Sequence, residues 1–226
     1  MPLLWLPGKE EDGAVSEGSP LAAGPYPIDQ HAAFRVVFAT TAANTEVVLT
    51  HSGASWYNIF VDGLPVAEGP TRFTGMVPYC AETTVSVPAA GKHVVSIHAH
   101  SIGLGSRILL QTPPFVGCVV AAKDPAGKPL LDVAPVWRCR ELAEYTAQWR
   151  RMSPLLGWME CCTLDGELQA WKAAGYIENP LKWVKPVPAD SKLQPPVPLA
   201  STASPASSRP GPLPQTAEVK TRNSHI

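Results

Sequence analysis

Two histidines, His98 and His100, lie two residues apart in an otherwise apolar run. In a β-strand, residues i and i+2 point to the same face, so the two imidazole rings would lie side by side as a metal-binding pair does. A third ligand would have to come from Cys80, His51 or His93, and none of these stands at a recognisable ligand spacing. We therefore interpret His98 and His100 as hydrogen-bonded surface histidines, and we predict no metal site and no cofactor.

A second group of residues could supply a pair of catalytic carboxyl groups. Glycoside hydrolysis needs two such groups facing each other across a sugar, about 5 to 9.5 Å apart. The candidates lie on a predicted connecting segment, where solvated carboxylates with ordinary pKa values are the commoner outcome. We predict no catalytic site in this chain, and the sequence also lacks a G-x-S-x-G motif, a P-loop and a complete dinucleotide fingerprint. The acidic candidates are Glu141, Glu144, Glu160, Asp165 and Glu167.

A third group combines aromatic side chains with hydrogen-bonding side chains on or beside one predicted hairpin. Sugar rings bind against aromatic faces, while amide and guanidinium groups bond to the sugar hydroxyls. Strand alternation places Trp56 and Asn58 on one face and Tyr57 on the other, and we expect Tyr57 to pack in the core. The candidate carbohydrate-binding residues are Trp56, Asn58, Arg72, Phe73 and Tyr79.

Short strands must position these residues, because charged residues make up only 16% of the chain while Pro occurs 25 times and Gly 17 times. Asp62-Gly63 supplies the positive φ values of a two-residue hairpin turn. The β-branched and aromatic runs predict strands at 34–38, 46–50, 57–61, 64–67, 83–87, 93–99, 107–111 and 116–121. This pattern predicts an all-β fold, an antiparallel β-sandwich of the jelly-roll or galactose-binding-like kind.

One segment departs from the strand pattern. Leu142, Tyr145 and Trp149 recur at helical spacing, which predicts a short helix or a loop crossing the sandwich around residues 138–148. Further along, Trp149, Trp158, Trp171 and Trp183 indicate an extended segment that covers apolar surface.

The composition divides the chain into three parts. No aromatic residue follows Trp183, and beyond it Pro, Ser, Ala and Thr leave too little apolar surface to offset the entropy of ordering. Lys192, Pro195 and Pro198 match a K-x-x-P-x-x-P docking pattern, so an interaction module presenting the tail is an alternative function. We predict an N-terminal extension over 1–33, the sandwich with a Trp-rich closing segment over 34–185, and a disordered Pro/Ser-rich tail over 186–226.

The charge and hydropathy of the sequence indicate which classes of partner and which cellular compartment to expect. The formal net charge of −1 over 226 residues gives no field that would favour nucleic acid or an anionic membrane. The longest apolar stretch, 115–122, is far shorter than the ~20 residues of a membrane helix. Residues 1–7 lack a basic n-region, which slightly favours the cytoplasm, with a lost leader as the alternative. Five cysteines without C-x-x-C spacing do not indicate a disulfide framework.

The residues around the hairpin resemble a known family. The run 52–72 has Tyr57 before a strand that ends in Asp62-Gly63, followed by Gly69-Pro70 and Arg72. This run resembles a hairpin in the N-terminal β-sandwich of bacterial α-L-rhamnosidases of glycoside hydrolase family 78. The other similar pieces, in the family's order, are the strand 93–100 after Gly91-Lys92, the segment 150–160, and Trp171 with Trp183.

The resemblance implies a non-catalytic accessory module of an α-L-rhamnosidase-like glycoside hydrolase, carbohydrate-binding-like and packed before a catalytic (α/α) barrel that this chain lacks. Its expected partners are glycans or that barrel domain. A fragment of a glycosidase that hydrolyses terminal rhamnose is the alternative. The chain departs from the family in having Ser55 where many relatives have an acidic residue, which weakens the expectation of polar sugar contacts. The turn is Asp62-Gly63 in place of Asn-Gly, a conservative change.

Overall fold

A computed structural model of the chain describes residues 1–8, 26–70, 73, 76–104, 112–123, 136–150, 158–164, 167–190 and 192–198. Within these residues the chain forms, in order, β1 (Leu4–Trp5), β2 (Gln30–Thr40), β3 (Thr45–Ala54), β4 (Trp56–Val61), β5 (Leu64–Gly69), β6 (Tyr79–Val87), β7 (Gly91–Ser101), β8 (Phe115–Lys123), β9 (Arg138–Glu141), α1 (Glu167–Ala170), β10 (Val187–Pro188) and β11 (Val197–Pro198).

The strands form two sheets that pack face to face. A six-stranded sheet has the order β10-β1-β8-β3-β6-β11, and a five-stranded sheet has the order β5-β4-β7-β2-β9. Phe34 and Ile97 of the five-stranded sheet bury their side chains in one core with Val47 and Leu49 of the six-stranded sheet. The predicted all-β sandwich is confirmed, because two sheets that each present an apolar face bury those faces against each other. The described strand pairs are antiparallel, as predicted, except for the parallel pair of β11 with β6.

Seven of the eight predicted strands lie within β2 to β8, and the structure extends each of them. The predicted hairpin is confirmed, because Asp62 has φ 50° and Gly63 has φ 84°. Val61 and Leu64 pair directly across this turn. The predicted strand at 107–111 lies outside the described residues.

The segment predicted as a helix or a loop begins instead as a strand. Arg138–Glu141 forms β9, and Cys139 pairs with Phe34 of β2. The helical prediction is wrong here because the edge of β2 offers unpaired backbone groups to this stretch, and tertiary hydrogen bonding outweighs a short helical periodicity. Leu142, just after the strand, is 2% exposed. Residues 142–150 contain no helix and correspond to the predicted loop.

A second apolar core covers part of the outer face of the five-stranded sheet. Trp171 is 1% exposed and Trp183 is 0% exposed, and both pack with Ala33 and Leu142. The tilted rings of Trp171 and Trp183 lie 6.2 Å apart. The segment that follows α1 therefore closes over the sheet. Trp171 and Trp183 cover apolar surface as the sequence predicted, whereas Trp149 is 60% exposed and departs from that prediction.

Two short strands lie beyond the boundary predicted at residue 185. The Ala189 N–H donates to the Leu3 carbonyl at 2.9 Å beside β10, and the Val197 N–H donates to the Pro78 carbonyl at 3.0 Å beside β11. Proline lacks a backbone donor, so Pro-containing strands of this kind belong at sheet edges. Strands β1, β10 and β11 thus lie outside the range predicted for the sandwich, while the division into domains stays a prediction.

All five cysteines are free thiols, in agreement with the sequence analysis. Burial raises the pKa of the Cys118 and Cys139 thiols to about 12, which keeps both side chains neutral in the core. Among the described residues, no helix is both long enough and apolar enough to cross a membrane.

Candidate functional site

Histidines from neighbouring strands meet on the outer face of the five-stranded sheet. His100 of β7 pairs directly with His31 of β2, and His98 of β7 pairs with Ala33 of the same strand. Asp29 precedes β2, and Tyr145 lies in the loop after β9. We refer to Asp29, His31, His98, His100 and Tyr145 as the histidine cluster.

The cluster is joined by short polar contacts. The His100 Nε2–H donates to the Asp29 Oδ1 at 2.7 Å. The same carboxylate oxygen lies 3.9 Å from the His31 Nε2. On its other side, the His31 Nδ1 lies 3.0 Å from the His98 Nε2, so one of these nitrogens donates to the other. The Asp29 carboxylate is therefore hydrogen-bonded to His100 and lies near His31, which shares a hydrogen bond with His98.

Ring stacking fixes the orientation of His31. Its ring lies 3.9 Å from that of His100 with 11° between the planes, and 4.0 Å from that of Tyr145 with 14° between the planes. Two rings stacked this closely on a third must lie on its opposite faces. His31 is therefore held between His100 and Tyr145, and the cluster is packed as tightly as a core.

Burial keeps the central rings neutral. Burial, together with the neighbouring His100 and His98, lowers the pKa of His31 to about 2. Burial, together with Lys172 and His100, lowers the pKa of His98 to about 3. Both rings are neutral at physiological pH. Each ring therefore has one N–H and one nitrogen whose lone pair can accept a hydrogen bond or bind a metal ion.

The prediction that His98 and His100 share a face is confirmed. The prediction that both lie at the surface is wrong for His100, which is buried, while His98 is half-buried. His100 is 7% exposed and bonds to Asp29. The partners come from Asp29 and His31, whereas His51 bonds to the Tyr57 hydroxyl and His93 bonds to Asp62. The missing signal is the register of β2 against β7, which places residues about 70 positions apart side by side.

Two of the predicted carbohydrate-binding residues lie beside the cluster. Trp56 pairs with His100, and Asn58 pairs with His98, on the outer face of the five-stranded sheet. Trp56 is 41% exposed, and Asn58 is exposed as well. Tyr57 points to the opposite face and is 2% exposed, which confirms the expected core packing.

The other three predicted residues lie elsewhere or outside the described residues. Phe73 is half-buried and packs its ring 6.0 Å from that of Phe115. Tyr79 lies in β6 of the six-stranded sheet, where it pairs with Val197. Arg72 lies outside the described residues. The structure thus brings Trp56 and Asn58 together and places Tyr79 in the opposite sheet, because the chain changes sheets between β3 and β4 and again between β5 and β6.

Two of the acidic candidates for catalysis, Glu141 and Glu144, form hydrogen bonds to other side chains of the protein. The Arg140 Nη1 donates to the Glu144 Oε1 at 2.7 Å, and the two residues are four positions apart in sequence. Glu141 is exposed and accepts a hydrogen bond from the Gln30 amide at 3.2 Å. Glu160 is exposed. Asp165 and the side chain of Glu167 lie outside the described residues.

The fold defines an all-β protein of two packed sheets, with a buried histidine cluster on the outer face of one sheet. No protein-family profile matches the sequence, and no curated protein matches it. Among solved structures, the chain is similar to a GH78 family rhamnosidase of Bacillus sp. GL1, with a TM-score of 0.60 and 18% identity. This match covers 83% of the chain and 18% of the rhamnosidase, so the chain spans less than a fifth of that protein.

Two structures of a lectin from Pleurotus ostreatus match less well. The structure in complex with GalNAc has a TM-score of 0.42 and 11% identity, covering 70% of the chain and 41% of the lectin. The apo structure has a TM-score of 0.40 and 10% identity, covering 62% of the chain and 35% of the lectin. At 18% identity, the match to the rhamnosidase shows a shared fold and nothing further.

Proposed function

We propose that this chain is a non-catalytic accessory β-sandwich of an α-L-rhamnosidase-like glycoside hydrolase. The observation that carries the proposal is the proportion of the match, because 83% of the chain corresponds in fold to 18% of a rhamnosidase. A fold shared over most of a short chain and a small part of a large enzyme is what an accessory module would give. The resemblance of the run 52–72 to a family hairpin supports the same assignment.

The outer face around Trp56 and Asn58 is the part of the module that we assign to glycan contact. The indole of Trp56 is 41% exposed, and Asn58 presents an amide two residues away on the same face. An indole covers the C–H surface of a sugar ring while an amide bonds its hydroxyls. Because both side chains stand on an open sheet face, we expect a shallow site with a Kd on the order of 1 mM.

Titration of the full chain with methyl α-L-rhamnoside and with rhamnose-terminated oligosaccharides, followed by two-dimensional NMR, tests this assignment. We expect shifts at Trp56 and Asn58, and loss of binding in Trp56→Ala and Asn58→Ala. Val119→Ala and Glu82→Gln are matched controls, because both residues are exposed on the six-stranded sheet. Binding that is the same in Trp56→Ala as in the parent chain would remove the glycan site.

The non-catalytic part of the proposal has a separate test. Incubation of the purified chain with a chromogenic α-L-rhamnoside should release no chromophore. Measurable turnover would favour the alternative of a glycosidase fragment. A catalytic barrel added in trans should bind the chain if the module packs against such a domain, and size-exclusion chromatography of the mixture would measure this.

The alternative of a Pro-rich docking tail has less support. Pro198, the last residue of the K-x-x-P-x-x-P pattern, pairs with Cys80 in β6. Val197 beside it donates its N–H to the Pro78 carbonyl at 3.0 Å. A partner domain that reads the pattern would have to displace this edge strand.

A further inference from the structure

Three buried side chains of the histidine cluster bring possible ligand atoms close together. Asp29, His31 and His100 each offer one ligand atom, and these atoms lie within 4.8 Å of one another. The residues are 3%, 4% and 7% exposed. We propose that Asp29, His31 and His100 bind one divalent transition-metal ion, with Zn²⁺ as the preferred ion.

The spacing of the ligand atoms fits a small ion. The Asp29 Oδ1 lies 2.7 Å from the His100 Nε2 and 3.9 Å from the His31 Nε2. Zinc bonds to nitrogen and oxygen are about 2.0–2.2 Å long, so tetrahedral ligand atoms lie about 3.3 Å apart. Each of the two observed separations would therefore change by about 0.6 Å.

Metal binding requires the stacked rings of His31 and His100 to change their relative orientation. The planes of His31 and His100 are 11° apart, so their in-plane lone pairs run side by side. Convergence on one ion requires the two ring planes to open. Tyr145 stacks on the other face of His31 at 4.0 Å and limits the movement of that ring. We therefore expect the His100 ring to turn and its Nε2 proton to be released.

The surrounding hydrogen bonds suit metal ligation. Ligating histidines normally donate their second ring N–H to an acceptor, and ligating carboxylates are themselves hydrogen-bonded. The His31 Nδ1 lies 3.0 Å from the His98 Nε2, which can accept its proton and leave the lone pair on the His31 Nε2. The Asp29 Oδ2 accepts the Gln148 N–H, so Oδ1 is the oxygen that faces the rings.

The ion would join elements of the five-stranded sheet. Asp29 and His31 stand at the start of β2, and His100 stands near the end of β7. Imidazole nitrogen and carboxylate oxygen are ligands that suit Zn²⁺, and three protein ligands leave a fourth position for water. A bound ion would tie the residue before β2 to two paired strands, and it would stabilise this end of the sheet.

Isothermal titration of the metal-free full chain with ZnCl₂ tests the proposal. We expect one ion per chain and a higher melting temperature when Zn²⁺ is bound. Asp29→Asn and His100→Gln should each weaken binding by at least ~100-fold, since each removes a ligand. His98→Ala removes only the acceptor for His31 and should weaken binding by about 10–100-fold.

Matched controls separate this site from other zinc ligands in the chain. His51→Gln and His93→Gln change buried histidines outside the cluster and should bind Zn²⁺ like the parent chain. The double variant Cys161→Ser with Cys162→Ser should do the same. Circular dichroism checks that each variant is folded before its affinity is compared.

X-ray absorption of the zinc-loaded parent chain provides a test that needs no variant. Nitrogen and oxygen ligation with two imidazoles is the expected result. Sulfur ligation, no stoichiometric binding to the parent chain, or unchanged affinity in folded Asp29→Asn and His100→Gln would each overturn the proposal.

Discussion

The Arg35 guanidinium donates a 2.6 Å hydrogen bond to the Glu178 carboxylate, although the two residues are 143 positions apart. The Arg35 side chain is 2% exposed and that of Glu178 is 24% exposed. The same guanidinium donates to the Trp171 carbonyl at 2.9 Å and to the Ala173 carbonyl at 2.8 Å. One side chain of β2 thus holds the closing segment on the outer face of the five-stranded sheet.

Replacement of this arginine should loosen the closing segment. Arg35→Ala removes a buried guanidinium that bonds to the Trp171 and Ala173 carbonyls and to Glu178, and we expect the free energy of unfolding to fall by about 3–5 kcal/mol. Glu178→Gln keeps an acceptor for the guanidinium and should cost about 1 kcal/mol. Urea denaturation measures both values. Equal losses in the two variants would contradict the assigned role of Arg35.

The hairpin turn depends on both the backbone and the side chain of Asp62. Its φ is 50°, its Oδ1 accepts the Val94 N–H at 2.9 Å, and its Oδ2 lies 2.7 Å from the His93 Nδ1. Asp62→Asn keeps a residue that tolerates this φ and should cost less than about 1 kcal/mol. Asp62→Ala loses both acceptors and should cost about 1–3 kcal/mol in urea denaturation. Similar losses for the two variants would show that the side-chain contacts do not matter.

Glycine is required at position 69 because the Tyr57 ring lies directly against it. A Cβ added at Gly69 would overlap ring atoms of Tyr57, which is 2% exposed. We expect Gly69→Ala to destabilise the fold by about 1–3 kcal/mol. Gly175→Ala is the matched control, with no atom within 4 Å of its added Cβ, and it should change stability by less than about 0.5 kcal/mol. Thermal unfolding of both variants makes the comparison, and a stable Gly69→Ala chain would show that the Tyr57 ring can shift.

Stability should fall in acid partly through His51. Burial lowers the pKa of His51 below its ordinary value of 6.5, where the ring lies 3.0 Å from the Tyr57 hydroxyl and 3.0 Å from the Thr83 hydroxyl. The unfolded chain then binds more protons below pH 6.5 than the folded chain does. The contribution of His51 is therefore complete above this pH and is lost as the pH falls toward the lowered pKa.

The matched variant for this pH dependence is His51→Gln, whose amide can donate to one hydroxyl and accept from the other. The free energy of unfolding of the variant should fall less steeply than that of the parent chain as the pH decreases from 7 to 5. Urea denaturation at several pH values gives the two curves. Parallel curves would show that the pKa of His51 is the same in the folded and the unfolded chain.

The strands could be predicted from the sequence because side-chain alternation and turn residues depend only on neighbouring positions of the chain. The alternation around Tyr57 reflects one buried face, and Asp62-Gly63 meets the backbone requirement of its own turn. The prediction around Leu142 was wrong because helical spacing over one short segment does not show that β2 has an open edge for β9.

For the candidate site, the sequence by itself determined that His98 and His100 share a face. It also determined that Trp56 and Asn58 lie on one face of their strand and Tyr57 on the other. Only the tertiary structure decided that Asp29 and His31 complete the cluster. Side-chain direction along a strand follows from the two-residue period of the backbone, so it can be read locally. The register between β2 and β7 depends on which faces the whole sandwich buries, so the contacts of the cluster exist only once both sheets have packed.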